Sequence, residues 1–379
     1  MTRLLLLVTD LQRGGTPMRV CRWAAWLREA GWDAIVGCIA PRGPLSAELD
    51  RAGIPNFDCG AAHRFDVTAL FRLARRLREL QPAILHSFLF HANLAARLVG
   101  RQDCRRALIT STATIEIERH CHRRVESLLA RRSDAHVCNA RRVADHVIRD
   151  LHFPPDSVVV IPNGIDCAAV DRVPAVDRAA YGLPNDLPLV LWAGRMDPVK
   201  DLETWMRVFE HVRETHPICG AWLGEGPTRL RWEQCLRSAD LLAPPDDPAL
   251  AVGRIRLLGW SDQVIGWLKS ASVLMLTSRT EGNPNVLLEA MAARCPVIAS
   301  DVGSCREHLD AEQRRGWLCP PGEWGAFADA LAHAVERADR QVTLVQEARA
   351  HVERAESREV VVDRLNRLYR TILTPEKVC

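Results

Sequence analysis

Short apolar runs alternate with amphipathic segments along the whole chain. In the first half the runs are LLLLV (4–8), AIVGCI (34–39), AILHSF (83–88), ALITST (107–112), AHVCNA (135–140) and VVVIPNG (158–164). Between them the apolar positions keep helical spacing. In ALFRLARRLREL, Leu70, Phe71, Leu73, Ala74, Leu77 and Leu80 recur at that spacing, with the arginines on the opposite face. This alternation predicts βαβ units and parallel sheets. A polar, proline-containing stretch, DRVPAVDRAAYGLPNDLP, interrupts it near residues 171–188 and reads as a linker. A second series follows: LVLWAGR (189–195), CGAWLGEG (219–226), RIRLLGW (254–260), SVLMLTS (272–278) and PVIASD (296–301). Two α/β units in tandem, with a ligand cleft between them, are expected. The length, 379 residues, exceeds what one core usually fills and agrees with that.

One segment departs from burial in an informative way. SVLMLTSRTEGNPNVLLEAMAARCPVIAS reads strand, loop, helix, strand. Asn283 suits an N-cap and Pro284 the first helical position, so the helix is expected to begin there. Glu281 then sits in the loop at the carboxyl end of the strand, and Glu289 about one and a half turns into the helix. The helix N-terminus, with the amides of Gly282 to Val286, suits a phosphate. A carboxylate on so apolar a helix either lies on a thin solvent stripe or is hydrogen-bonded to something specific, such as the paired hydroxyls of a ribose. Glu281 reads equally as a solvated loop acid or as a ligand contact.

Composition, 47% hydrophobic and 26% charged, is that of an ordinary globular chain. The run LLLLV is stopped by Asp10, too early for a signal peptide, and no segment approaches eighteen apolar residues, so a soluble chain is expected. The 13 cysteines are scattered singly with no C-x-x-C pair, which points to free thiols in a reducing cytoplasm. His120, Cys121 and His122, with Cys104 upstream, fit no common metal spacing, and no metal is expected. Charge is uneven. To Leu183 the chain carries 26 arginines, no lysine and 19 acidic residues, a balance of +7; the remainder carries 24 basic and 28 acidic residues, a balance of −4. Such asymmetry suggests an anionic ligand or membrane surface for the first half, or reflects arginine-rich composition alone.

The spacing of Glu281 and Glu289 in SRTEGNPNVLLEAMAARCPVIASDVGSCRE resembles the signature of retaining glycosyltransferase family 4, which has the GT-B fold. Other similarities run along nearly the whole chain. TDLQRGGTPMRV resembles the family's first strand and Gly-Gly loop, LHSFLFHANLAARL its third-strand region, and VVVIPNGID the approach to its linker. WAGRMDPVKDLETWMRVF is similar to its phosphate-binding segment, and GEGP and LGWSDQV to two further cleft loops. Their order and number are specific where any one alone is weak.

The resemblance implies an α/β GT-B architecture of two Rossmann-like parallel-sheet domains facing a central cleft. The expected bounds are 1–180 for the acceptor-binding domain and 181–357 for the donor-binding domain, with a helix at about 358–379 packing back on the first. It implies sugar transfer from a nucleotide-sugar donor to an acceptor hydroxyl, with retention and without a metal or other cofactor. Arg195 and Lys200 are similar to the family's diphosphate-binding pair, and by the same carry-over Glu281 holds donor-sugar hydroxyls and Glu289 the ribose. Gly282, Asn283, Pro284 and Asn285 lie near sugar and phosphate, Gly14 and Gly15 let the first domain's loop approach the diphosphate, and Gly259 with Trp260 resembles the base-contacting loop. Partners implied are a lipid-linked or saccharide acceptor and an anionic membrane at the inner face, with no nucleic acid. Two departures stand out: Ala113 and Thr114 occupy the place where many relatives have a histidine, and Asp201 follows Lys200 where Gly is common. His91 and His120 are candidates for acceptor contact or ordinary structural histidines. A non-catalytic nucleotide-sugar-binding scaffold and a sugar-nucleotide epimerase on the same fold are the alternatives. A nicotinamide enzyme is disfavoured because DLQRGGTP is not G-x-G-x-x-G.

Overall fold

The apolar runs form the strands of two parallel sheets. The computed structural model describes residues 1–63, 66–100, 106–114, 120–244, 251–310, 312–336 and 341–374. In the first sheet β1 (Arg3–Val8), β2 (Asp33–Cys38), β3 (Asn56–Asp58), β4 (Ile84–Phe88), β5 (Ala107–Thr112), β6 (Ala135–Cys138) and β7 (Val158–Val160) take the order β3-β2-β1-β4-β5-β6-β7. In the second, β8 (Leu189–Ala193), β9 (Cys219–Leu223), β10 (Ile255–Gly259), β11 (Val273–Leu276), β12 (Val297–Ser300) and β13 (Trp317–Cys319) take the order β10-β9-β8-β11-β12-β13. Helices cover both faces, so the central strands read as unbroken apolar runs: Leu4 to Val8 are fully buried, as are Leu189 to Leu191. This is the Rossmann-like pairing expected of a GT-B chain.

The pattern did not announce β3 and β13. Each is three residues long and lies at a sheet edge, where half of its backbone pairing and much of its burial are absent. Trp192, Trp222 and Trp267 are fully buried in the core of the second sheet.

The chain divides into Met1–Gly164 with Arg358–Cys379, and Ile165–Ser357. The expected boundary at residue 180 is therefore moved: residues 165–180 belong to the second unit. Their polar groups are satisfied there. Asp171 pairs with Arg349 at 2.8 Å and Arg294 at 3.2 Å, the Lys269 ammonium donates to the Val173 carbonyl at 2.6 Å, and the Val176 amide donates to Gly266 at 3.1 Å.

The helix Arg358–Leu373 packs in the first unit. Its Val361, Leu365 and Tyr369 are completely buried beside the helix Gly15–Glu29 and the sheet. Tyr369 meets the Trp32 ring edge-on at 5.3 Å, and its hydroxyl lies 2.8 Å from His86 Nδ1. His86 Nε2 lies 2.6 Å from the Ser111 hydroxyl. Burial, and then the nearby Arg19 charge, hold the His86 imidazole well below its ordinary pKa, so it bridges two hydroxyls as a neutral ring. Among the described residues no helix is long and apolar enough to cross a membrane.

Tyr369→Ala is expected to cost about 3–5 kcal/mol, as for other buried aromatics, and Tyr369→Phe only about 1–2 kcal/mol for the lost hydrogen bond. Urea denaturation of the two variants checks both the size and the order.

Candidate active site

In the second sheet β8 and β11 are neighbours, and chain order runs outward from them in opposite directions. At such a reversal the loops at the carboxyl ends part and leave room for a ligand. The segments singled out in the sequence flank it: Gly194 to Asp201 follow β8, and Thr277 to Pro284 follow β11.

The two loops are joined through an ion pair. Lys200, at the end of the turn Pro198–Lys200, donates from Nζ to Glu281 Oε1 at 2.5 Å, and the Ser278 hydroxyl donates to the same oxygen at 2.7 Å. The side chains are 23% and 12% exposed, so the pair is half-withdrawn from water with one face open. An ammonium has three donors, and one is committed to Glu281. Arg195 stays apart from this pair. Its side chain is 73% exposed and lies 4.0 Å from Asp197.

Behind Glu281 the backbone is packed too closely for side chains. Gly303 has φ +55°, and a Cβ there would fall 2.4 Å from the Glu281 carbonyl oxygen. The Ser304 amide donates to the Gly282 carbonyl at 2.9 Å. The loops after β8 and β9 are stitched as well: the Met196 amide donates to the Glu225 carbonyl at 2.9 Å and the Thr228 hydroxyl to the Met196 carbonyl at 2.8 Å.

The following helix is Asn285–Ala292 with Pro284 at its N-cap, which corrects the expected start by one residue. Asn283 does not cap it. This buried side chain turns inward, and its Oδ1 accepts from Ser304 Oγ and His308 Nε2, both at 3.0 Å. Asn285 and Glu289 are half-buried and stand one helical turn apart on the same face. Gly259 has φ +69°, and its carbonyl receives the Gly224 amide at 2.7 Å; Trp260 beside it is 47% exposed. Sequence reasoning missed Ser278, Gly303, Ser304 and His308. All lie within or beside the quoted SRTEG and DVGSCRE segments, but their roles are contacts across loops.

In the first unit the corresponding reversal lies between β1 and β4. Gly14 precedes and Gly15 begins the helix Gly15–Glu29 after β1, and His91 is in the helix Phe90–Val99 after β4. Gly14 is extended, and a Cβ there would meet Pro17 at an ordinary 3.7 Å, so packing within the unit does not itself require glycine. Phe90 stacks on the His122 ring at 3.7 Å, with His91 edge-on to His122 at 5.7 Å. The side chain of His120, and Cys104, lie outside the described residues. Where a histidine was looked for, the Ala113 carbonyl accepts from Asn139 Nδ2 at 3.2 Å.

Comparison with known proteins now decides the family. The pattern of Glycosyltransferase Family 4 matches residues 13–169, and that of Glycosyl transferases group 1 matches residues 187–337. The chain belongs to glycosyltransferase family 4. Among curated relatives of this family 4 chain, the D-inositol 3-phosphate glycosyltransferase of Streptomyces scabiei is 27% identical over 242 residues, which cover 60% of this chain and 52% of the relative. The enzyme of that name from Saccharomonospora viridis is 29% identical over 236 residues, covering 60% and 54%. The chain thus spans about half the length of the curated relatives it matches. Among solved structures, Anabaena Alr3699/HepE in complex with UDP-glucose superposes with a TM-score of 0.83 at 18% identity, covering 98% of this chain and all of that one. A glycosyltransferase from Rickettsia africae gives 0.82 at 17% identity, covering 99% and 100%. At these identities the structures speak for the GT-B fold.

The His308 ring has an acid-sensitive consequence. Burial, followed by the charges of His351 and Arg315, lowers its pKa from 6.5 to about 3. Below pH 6.5 the unfolded chain takes up a proton that the native ring refuses, so stability falls with falling pH by about 1.4 kcal/mol per unit until the native pKa is reached. His308→Gln is expected to remove this share of the slope, read from urea midpoints between pH 7 and pH 4.

Proposed function

We propose that this chain transfers a sugar from a nucleotide-sugar donor to an acceptor hydroxyl with retention of configuration, in the synthesis of a cell-surface polysaccharide or glycolipid precursor. The observation that carries the reading is the Lys200–Glu281 pair, held half-buried where the loops after β8 and β11 part. Cleavage of an anomeric bond leaves negative charge on the departing diphosphate, and preorganised cations and amides stabilise such charge. Lys200 has donors beyond the one given to Glu281, Arg195 is a solvent-facing guanidinium in the same loop, and the helix Asn285–Ala292 supplies amides at its N-terminus. In this reading Glu281 accepts from hydroxyls of the donor sugar, and its contact with Lys200 couples sugar to diphosphate. Glu289 accepts from the ribose hydroxyls, and Gly259 and Trp260 border the base. In this reading His91 and His120 are the candidates for acceptor contact. UDP-glucose, the ligand named for the HepE structure, is the first donor to try.

The first unit is proposed to meet an anionic membrane carrying a lipid-linked acceptor. Val67 and Phe71 on the helix Val67–Leu80 are 62% and 73% exposed, and Arg75 stands one turn further along the same face. Apolar residues beside arginines on an outer helix face suit an interface of that charge. Phe71→Asp is expected to abolish co-sedimentation with vesicles containing phosphatidylglycerol, and equal absence of binding by the parent chain removes the membrane from the reading.

Thermal unfolding with UDP, GDP, ADP and NAD tests the donor site. One nucleoside diphosphate at a hundred times its Kd is expected to stabilise the chain by about 2.7 kcal/mol. Glu289→Ala is expected to weaken that nucleotide on the order of 10- to 100-fold, and Lys200→Ala to lower turnover on the order of 10²–10³-fold. Binding without turnover in any donor and acceptor mixture points to the scaffold, and turnover that needs no acceptor and yields an isomeric donor points to the epimerase. Stabilisation by NAD alone overturns the proposal.

A further inference from the structure

Asp201 combines a costly backbone with an exacting side-chain environment. Its φ of 48° and ψ of 53° put it in the left-handed region, where glycine is at ease and an L side chain is not. Its side chain is nevertheless almost completely buried, at 3% exposure. One carboxylate oxygen accepts from the Thr204 hydroxyl at 2.9 Å and lies 3.2 Å from Arg279 Nε, and the other accepts from an Arg279 terminal nitrogen at 3.3 Å. The result is a fork between the first residue after Lys200 and the second residue before Glu281.

Backbone contacts run parallel to this fork. The Arg279 amide donates to the Val199 carbonyl at 2.8 Å, and the Thr277 hydroxyl lies 3.1 Å from the Lys200 carbonyl and 2.9 Å from that of Asp201. Ser278, between Thr277 and Arg279, turns the other way and reaches Glu281. Alternate residues of one short segment thus hold the backbone of Val199 to Asp201 on one side and the Glu281 carboxylate on the other. Glu203 and Arg207 line the same open cavity of about 420 Å³ as Asp201 and Arg279, away from the Lys200–Glu281 contact.

We propose that Asp201 and Arg279 are positioning residues for the Lys200–Glu281 pair, tying the turn after β8 to the loop after β11 and so setting where the Lys200 ammonium meets the donor diphosphate. The proposal deepens the nucleotide-sugar reading and rests on it. Neither residue touches the donor. Arg279 is 67% exposed, so its value lies in geometry rather than in stability, as for other solvent-screened pairs.

The test uses Asp201→Gly, Arg279→Ala, Arg279→Lys and the Asp201→Gly/Arg279→Ala double variant of the full chain. Glycine accepts the left-handed turn, so Asp201→Gly removes the carboxylate without breaking the fold, and its melting temperature stays near that of the parent. With UDP-glucose, GDP-mannose or ADP-glucose as donor, kcat for donor cleavage falls on the order of 10- to 100-fold in Asp201→Gly and Arg279→Ala, as misplacement of a reacting group does. The double variant falls no further than the worse single one, because both deletions remove one contact. Arg279→Lys keeps the charge without the fork and recovers part of the loss. Hydrogen exchange, which needs no donor, is faster in Asp201→Gly over Val199 to Asp201 and Thr277 to Glu281 and unchanged elsewhere. Parent-like kcat and exchange in the variants overturn the proposal, as does a loss confined to melting temperature. If the parent chain binds no nucleotide, the donor reading falls separately, and the exchange result alone then upholds or overturns the tie between the loops.

Discussion

An ammonium and a carboxylate half-withdrawn from water must find each other, and in this chain they can do so only if two loops from different strands arrive together. Everything around Lys200 and Glu281 serves that meeting. The sheet reverses direction between β8 and β11, so the two loops begin side by side. Glycine at 303 lets the loop after β12 lie directly on the Glu281 carbonyl, where any Cβ would collide. Ser304 and His308 draw Asn283 inward, which fixes the start of the helix Asn285–Ala292. Removing either partner of such a pair leaves a charge poorly solvated, so the pair constrains the loops as much as the loops position it.

Buried charge is met in two ways, by pairing opposite signs, as Arg97 and Glu126 also do in the first unit, and by neutral partners. In the second unit Asp201 and Arg279, or Lys200 and Glu281, pair opposite signs across loops. In the first, Arg19 is buried on the helix after β1 and gives a terminal nitrogen to the amide oxygen of Asn163 at 2.8 Å, with its guanidinium 5.0 Å from the Trp23 ring centre. Asn139 also donates to Asn163, at 3.2 Å, and Trp23 Nε1 donates to the Asn163 carbonyl at 2.9 Å. Neutral amides and aromatic faces solvate a cation less well than a carboxylate does, and burial accordingly lowers the Arg19 pKa to about 9. The arrangement joins the loops after β6 and β7 to the first helix without introducing an acid.

How much of this was legible in the sequence depends on the range of the interaction concerned. The longer strands announced themselves because a strand buried on both faces is mostly apolar, its few polar residues, such as His86 and Ser111, being bonded to one another. Of the three-residue edge strands, Val158–Val160 was read within the run VVVIPNG, whereas Asn56–Asp58 and Trp317–Cys319 are too short to carry a period of their own. Lys200, Glu281 and Glu289 stood out as candidates through linear motifs that a familiar family shares, but the contact between Lys200 and Glu281 did not. Asn283 was read as a helix cap, which local propensity favours; a buried serine and histidine some twenty residues on overrode that preference. The boundary near residue 180 failed for a similar reason. A proline-containing polar stretch looks like a linker until Arg349, Arg294 and Lys269 are seen to hold it from far along the chain.

Asp201 shows the same limit from the other side. In the sequence it is a departure, an acid where glycine is common, and departures of that kind suggest loss of function. In three dimensions the acid takes the left-handed conformation that glycine would have taken and adds contacts that glycine cannot make. A left-handed aspartate is tolerable because its short polar side chain bonds locally, here to Thr204, before it reaches Arg279. The substitution therefore keeps the turn and adds a tie to the neighbouring loop. An argument from missing family residues has to ask what the replacement holds: at Asp201 it is the loop that carries Glu281, and at Ala113 it is only a carbonyl contact from Asn139.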